Sequence, residues 1–263
     1  MGPATASGWF GPSVPRVLAH RGLAVDAPEN TMLAFARAVA AGASYVETDV
    51  HATSDDVAVV THDPDLSRVA GRDVRVRDLD LAAVKEIRLG DDQEIPTLEE
   101  ALDAFPETRF NIDVKVAEAV EPTARAVRRL GAQRRVLVTS FDQRVRRRVL
   151  AALPGVATSA SSPGVVGALL ASVVPLSPLR HAVLRRVLRG CGAVQVPETW
   201  GPVRVVTRER VADLASIGVE THVWTVNDPV AMRRLLSLGV HGIVSDRADV
   251  ALAEVERTAA DPL

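Results

Sequence analysis

The 263-residue chain has a single cysteine, Cys191. An intrachain disulfide is therefore excluded, and the thiol is expected in the interior. The chain also lacks an apolar run long enough to cross a bilayer as a helix, because the longest, 164–179, is interrupted by Pro175 and Pro178. Residues 1–15 carry no basic stretch followed by an apolar one, so they do not read as a secretory signal. A lead-in or a strap across one end of the domain is expected there. Nor is there an excess of positive charge: 31 Lys and Arg stand against 33 Asp and Glu, a net charge of -2. Nucleic acid is not expected as a partner. Finally, HRGLAVDAPEN at 20–30 contains neither GxGxxG nor the GxxxxGK phosphate loop, which argues against a nucleotide cofactor. These absences lead to the expectation of a cytoplasmic protein without a transmembrane segment. One reservation concerns 164–179 and the arginines that follow it, Arg180, Arg185, Arg186 and Arg189. That stretch reads either as a peripheral membrane contact or as a packed excursion with a basic outer side.

Short β-rich runs alternate with helical patterns along the chain. Strands are expected at 17–20, 44–50, 110–115, 136–141, 155–160, 193–196, 221–226 and 242–246, with helical patterns between and after them. Thr31 and Asp142 stand where helices should begin, and Gly42, Gly131, Gly218 and Gly239 where helices should stop. Eight parallel strands with outer helices predict an α/β fold, a (β/α)8 TIM barrel over 16–258. A ninth run, 57–62, follows its predecessor too closely for a crossover helix and reads as an antiparallel return or a shortened unit. The irregular stretch at about 63–97, after His62 and Asp63, is expected to be a small insertion on the barrel.

The charged positions cluster at the predicted strand ends. Glu47 and Asp49 are two apart in a strand and share one face, and Asp113 and Lys115 repeat that spacing on another. Crowded carboxylates repel unless a proton or a cation is shared, and their oxygens suit one divalent cation, Mg2+ or Ca2+. The other arrangement these residues permit is a buried ion-pair network with Lys115 and Arg21. His20 ends the first strand and His62 ends the 57–62 run, so two imidazoles overlook the same carboxylates and can divide proton transfers while Arg21 neutralises an anion. His51, His181, His222 and His241 have no comparable setting and stay outside the catalytic assignment.

Taken together, HRG (20–22), PEN-T (28–31), ETD (47–49), THD (61–63), NIDVK (111–115) and VWTVND (223–228) resemble the glycerophosphodiester phosphodiesterase family over about residues 16–250. The resemblance implies a (β/α)8 enzyme that uses a divalent cation to cleave a small glycerophosphodiester to glycerol 3-phosphate and an alcohol. It further implies Glu47, Asp49 and Asp113 as metal ligands and His20 and His62 as the catalytic pair. Arg21 and Lys115 would contact phosphate, Glu29 would organise the site or contact glycerol, and Trp224 would line the pocket. One departure is visible: the family pattern E-x-K has Asp113 at its acidic position, shortening the reach by roughly 1.5 Å. Two other functions share this machinery, a lysophospholipase D-like enzyme acting on a larger lipid and a barrel that binds phosphodiesters without turnover.

Overall fold

The computed structural model describes residues 8–11 and 14–260, so the first half of the expected lead-in lies outside the described residues. Eight strands form the main sheet: β1 (Arg16–His20), β2 (Tyr45–Ala52), β3 (Ala58–Val60), β4 (Arg109–Val114), β5 (Val136–Thr139), β6 (Ala193–Val196), β7 (Glu220–Val223) and β8 (Gly242–Ser245). Their order is β6-β7-β8-β1-β2-β4-β5, all parallel, and β3 pairs antiparallel with β2. The 57–62 run is thus an antiparallel return. The result is an open, curled, TIM-barrel-like sheet.

Between β5 and β6 the expected strand at 155–160 pairs only through single bridges, Leu137 with Ala157 and Ser159 with Ala193. Its backbone still bonds on both sides, Val138 N–H donating to Ala157 C=O at 2.8 Å and Gly192 N–H to Thr158 C=O at 2.9 Å. The segment spans the gap without building a continuous ladder.

Helices cover the outer face: α1 (Met32–Ala40), α2 (Leu98–Ala104), α3 (Val120–Arg129), α4 (Gln143–Ala152), α5 (Ser162–Ala171), α6 (Ser177–Val187), α7 (Arg208–Ser216), α8 (Pro229–Ser237) and α9 (Ala248–Ala260). Their starts follow side-chain capping. Thr31 accepts from Ala34 N–H, and Asp142 accepts from Arg144 and Val145 N–H, satisfying donors a helix start leaves open. Because helices lie outside and side chains fill the inside, strand residues are buried on both faces, as in β2, where all eight are buried. Phe35, Phe110 and Ile112 are fully inaccessible between sheet and helices.

The strands' N-terminal end is closed by Trp9. Its ring is fully buried with Leu18, Tyr45, Leu137 and Val244, and its Nε1–H donates to Phe110 C=O at 3.1 Å. Arg16 binds Glu220 at 2.7 Å and Tyr45 Oη at 2.6 Å beneath it. Residues 8–11 therefore lie across this end of the strands. The opposite end stays open, and the segment from Asp65 to Glu94 builds up beside it from two short hairpins around a core of Leu66, Val76, Val84, Ile87, Leu89 and Ile95.

Candidate active site

Pairing register brings the charged side chains together at the C-terminal end of the strands. His20 is opposite Glu47, Glu47 opposite Asn111, and Asp49 opposite Asp113. Alternation then points Glu47 and Asp49 into the same interior. One pocket is lined by His20, Arg21, Glu47, Asp49, His62, Asp113, Lys115 and Trp224, with Asn111, Thr139, Ser159 and Gln195 also among its walls. Of the site residues expected from sequence, only Glu29 is absent from the lining. It sits behind Arg21, accepting from its Nη1 at 2.8 Å.

The turn after β1 aims the arginine. Arg21 has φ 56°, a conformation uncommon for a side chain larger than glycine's, and its N–H donates to Glu47 C=O at 3.0 Å. Gly22 follows at φ 85°, where a Cβ would lie 2.6 Å from the Ala34 carbonyl carbon. Only glycine lets this turn press onto α1. Arg21 Nε thereby comes within 3.3 Å of Asp49.

Lys115 neutralises the other side of the carboxylate group. Its Nζ is 2.6 Å from Asp49 and 2.6 Å from Asp113. Burial opposes its charge, but these two anions outweigh burial and raise its pKa. Asp49 is held below the ordinary carboxylate range, because Lys115 and Arg21 overcome the cost of burial, and Asn30 Nδ2 donates to it at 3.1 Å. Asp113 has Lys115 alone, and burial pushes it up. Among the described residues Glu47 pairs with no lysine or arginine, and the pull of His20 and Lys115 does not offset its burial. Burial and the charge of Asp49 push it up to about 8.

Both pocket imidazoles are anchored through Nδ1. His20 Nδ1 lies 2.6 Å from Asp246, which also accepts from Asn227 Nδ2 at 2.7 Å. His20 Nε2 turns toward Glu47, 3.9 Å away. Burial works against a charged His20, yet the Asp246 bond and the Glu47 charge raise its pKa above the ordinary value. His62 Nδ1 lies 2.7 Å from Asp63. Asp63 in turn accepts from Arg68 Nε at 2.6 Å, and Arg68 grips Glu29 at 2.6 and 3.0 Å. A continuous chain of ion pairs thus runs His62, Asp63, Arg68, Glu29, Arg21, Asp49, Lys115, Asp113. A carboxylate on Nδ1 fixes the tautomer and leaves Nε2 for proton exchange.

Phe141 and Trp224 form the apolar wall, their rings edge to face at 5.9 Å, with Lys115 Nζ 5.8 Å from the Phe141 centroid. Below them Gln195 Nε2 meets His222 Nδ1 at 3.3 Å, and His222 Nε2 meets Glu220 at 2.9 Å. His222 is therefore a buried structural histidine. His51, also buried, has Nε2 3.2 Å from the His62 carbonyl oxygen and supports that loop.

In the sequence Asp246 and Asn227 stand at or near strand ends and read only as weaker candidates for polar support, while Asp63, Arg68 and Asn30 have no assigned role. Asp63 was available as the neighbour of His62 in THD, and Asn30 as the Asn of PEN-T. Arg68 carried no signal.

Among the described residues no group of three His, Cys, Asp or Glu is arranged to hold a metal ion. The lysine ammonium stands between Asp49 and Asp113 instead. Even so, the donor set suits a hard cation. Asp113 Oδ1 is buried with no hydrogen-bond partner, and Glu47 lacks a full counter-charge.

Two carboxylate-anchored imidazoles, two cations and three buried carboxylates thus surround one pocket at the strand ends of a TIM-barrel-like scaffold, the arrangement of an enzyme's active site. The chain belongs to the glycerophosphoryl diester phosphodiesterase family, whose model matches residues 20–250. It is accordingly a phosphoric diester hydrolase. It is 43% identical over 235 residues to the Mycobacterium tuberculosis protein named "Probable glycerophosphodiester phosphodiesterase 2", covering 89% of this chain and 88% of that one. Mouse lysophospholipase D GDPD1 is 27% identical over 266 residues, covering 88% and 83%. A phosphodiesterase of Oleispira antarctica, solved with its product sn-glycerol-3-phosphate, superposes with a TM-score of 0.75 at 22% identity, covering 92% of this chain and 97% of that one. At that identity the likeness establishes the fold. No helix among the described residues is long and apolar enough to cross a membrane.

Proposed function

We propose that the chain hydrolyses small glycerophosphodiesters to glycerol 3-phosphate and an alcohol, with His20 and His62 exchanging protons on opposite sides of the phosphorus. The observation that carries this reading is that each pocket imidazole has its Nδ1 fixed by a carboxylate, Asp246 or Asp63, beside Arg21 and Lys115. Glu47, Asp49 and Asp113 would hold one divalent cation, Mg2+ or Ca2+. When bound, that ion supplies Lewis-acid charge neutralisation at a phosphoryl oxygen.

The chain's own residues perform the remaining work. Arg21 and Lys115 stabilise the charge that develops on the phosphoryl oxygens. His20, made more basic by Asp246, takes the proton from the glycerol 2-hydroxyl as that oxygen bonds to phosphorus. His62 delivers a proton to the departing alcohol oxygen as its P–O bond breaks. A cyclic phosphate results. Water then attacks phosphorus, His62 accepts its proton, His20 returns one to the 2-oxygen, and glycerol 3-phosphate leaves. Intramolecular attack benefits from the proximity of hydroxyl and phosphorus. Glu29 holds Arg21 in place, Trp224 walls the glycerol side, and the segment at 63–97 acts as an insertion that carries the His62 loop.

A diester lacking the 2-hydroxyl separates this route from direct attack by water: it should bind yet turn over poorly, and rapid turnover would overturn the cyclic step. The larger-lipid reading has one observation in its favour, the 56% exposed Phe141 ring beside Trp224 at the pocket mouth. Faster cleavage of lysophosphatidylcholine than of glycerophosphocholine would establish it.

A further inference from the structure

The chain's near-zero net charge conceals a strong polarisation. Residues 143–197 contain eight arginines and no Asp, Glu or Lys, so of 31 basic and 33 acidic residues the remainder holds 23 and 33. Two of the eight are used internally. Arg146 is buried and donates to Ser159 C=O at 2.7 Å, and Arg180 pairs with Asp213 at 2.7 Å. The other six, Arg144, Arg147, Arg148, Arg185, Arg186 and Arg189, are exposed, and among the described residues none of them makes an ion pair.

Three of these arginines meet across one groove. Arg147 of α4 lines it with Arg186 of α6, Arg189 just past that helix and Gly164 of α5, and no carboxylate contributes to the lining. The α5–α6 hairpin itself is tightly joined, since a Cβ on Gly167 would lie 2.8 Å from Val187 Cγ1. Its turn is unusually apolar: Leu170 is 67% exposed, Val173 72%, Leu176 67% and Leu179 53%. Arg210 Nε donates to Ser172 Oγ at 3.1 Å and its Nη1 to Val205 C=O at 3.3 Å, tying this turn to the loop that leaves the pocket end of β6. At the other end of α5, Ser162 N–H donates to the carbonyl of the pocket residue Phe141 at 3.1 Å. The hairpin therefore begins at the pocket mouth.

We propose that α4 and the α5–α6 hairpin form a docking face for an anionic lipid bilayer, the leucines and valines of the turn entering the acyl boundary and the six arginines resting on the headgroup phosphates. Exposed aliphatic side chains joined to unpaired arginines match a bilayer's layered chemistry. A nucleic acid would use the charge but not the aliphatic turn, and no Phe, Tyr or Trp stands on these helices for bases to stack on. The face is independent of which diester the pocket accepts.

The test is sedimentation of the full chain with vesicles. Equal parts of phosphatidylcholine and phosphatidylglycerol should bind it, pure phosphatidylcholine should bind it far less, and salt should weaken binding. Arg185→Ala with Arg186→Ala should weaken it about 30-fold, two charges at about 1 kcal/mol each. Leu170→Ser with Leu176→Ser should also weaken it while leaving the salt dependence. All four positions are exposed, so melting temperatures confirm intact folding. Absence of binding to anionic vesicles, equal binding to neutral ones, wild-type binding by both variants, or preference for single-stranded RNA over vesicles would each overturn the proposal.

Discussion

Replacing Lys115 by methionine keeps an unbranched side chain, one heavy atom shorter, and removes the charge that faces two buried carboxylates. Its ammonium is 2.6 Å from both Asp49 and Asp113, whose side chains are only 3% and 5% exposed. Removing one partner from a buried ion pair costs about 3–5 kcal/mol, because the remaining charge stays desolvated and unpaired. At roughly 2–4 °C per kcal/mol for a chain of this size, melting should fall by about 6–20 °C. The stranded carboxylates would then have raised pKa values in the folded state, so the deficit should be largest at neutral pH and shrink as they protonate in acid. Added Mg2+ or Ca2+ should recover about 2.7 kcal/mol at a hundredfold excess over its Kd. Wild type should gain less, since its ammonium already occupies the position between the two aspartates. Circular dichroism melts in chelator and in excess cation supply both comparisons. A variant that melts within about 2 °C of wild type in chelator at neutral pH would refute the charge accounting.

His20→Ala and His62→Ala should each lower kcat by at least roughly 100-fold without displacing the other side chains, and full activity in either would remove it from the proton-transfer pair. Asp246→Asn should leave KM nearly unchanged and lower kcat, because the bond to His20 Nδ1 sets its basicity; a change in KM alone would assign Asp246 to binding instead. Trp9→Ala empties a fully buried site and deletes the bond to Phe110, so calorimetry should show a loss of about 3–5 kcal/mol. Glu220 is held down at about 2, since bonds from Arg16 and His222 outweigh burial, and burial holds His222 below its ordinary value. Both are protonated more readily unfolded than folded, so the stability they contribute is full above about pH 6.5 and declines in acid, against the opposite trend of Glu47 and His20, whose raised values favour the fold at lower pH. Urea titrations in which Glu220→Gln is as stable as wild type at neutral pH would contradict this.

The motifs that carry chemistry were legible because strand geometry compresses them into neighbouring letters. Alternation alone puts Glu47 beside Asp49 and Asp113 beside Lys115, and parallel register then brings the two pairs together. The caps at Thr31 and Asp142 are local for the same reason. Partnerships that span the barrel leave no such trace. Asp246 is 226 residues from His20, and Arg68 reaches Glu29 across 39 residues from an irregular segment. The 155–160 run has strand-like residues, but whether it makes a ladder or single bridges depends on how β5 and β6 diverge around it. Trp9 falls in the stretch expected as a lead-in or a strap, and only the hole left at the strands' N-terminal end explains its burial. Whether Lys115 serves as phosphate contact or counter-ion was equally hidden, since both uses put the same residue at the same spacing.

The central claim is that two carboxylate-anchored imidazoles and a cation-binding carboxylate group hydrolyse a glycerophosphodiester in this pocket. Release of glycerol 3-phosphate from glycerophosphocholine, followed with and without chelator in wild type, His20→Ala and His62→Ala, tests it most directly. The expected result is turnover by wild type that stops in chelator and returns with Mg2+ or Ca2+, and turnover at least roughly 100-fold lower in both variants. Undiminished turnover in chelator, or in either histidine variant, would contradict it.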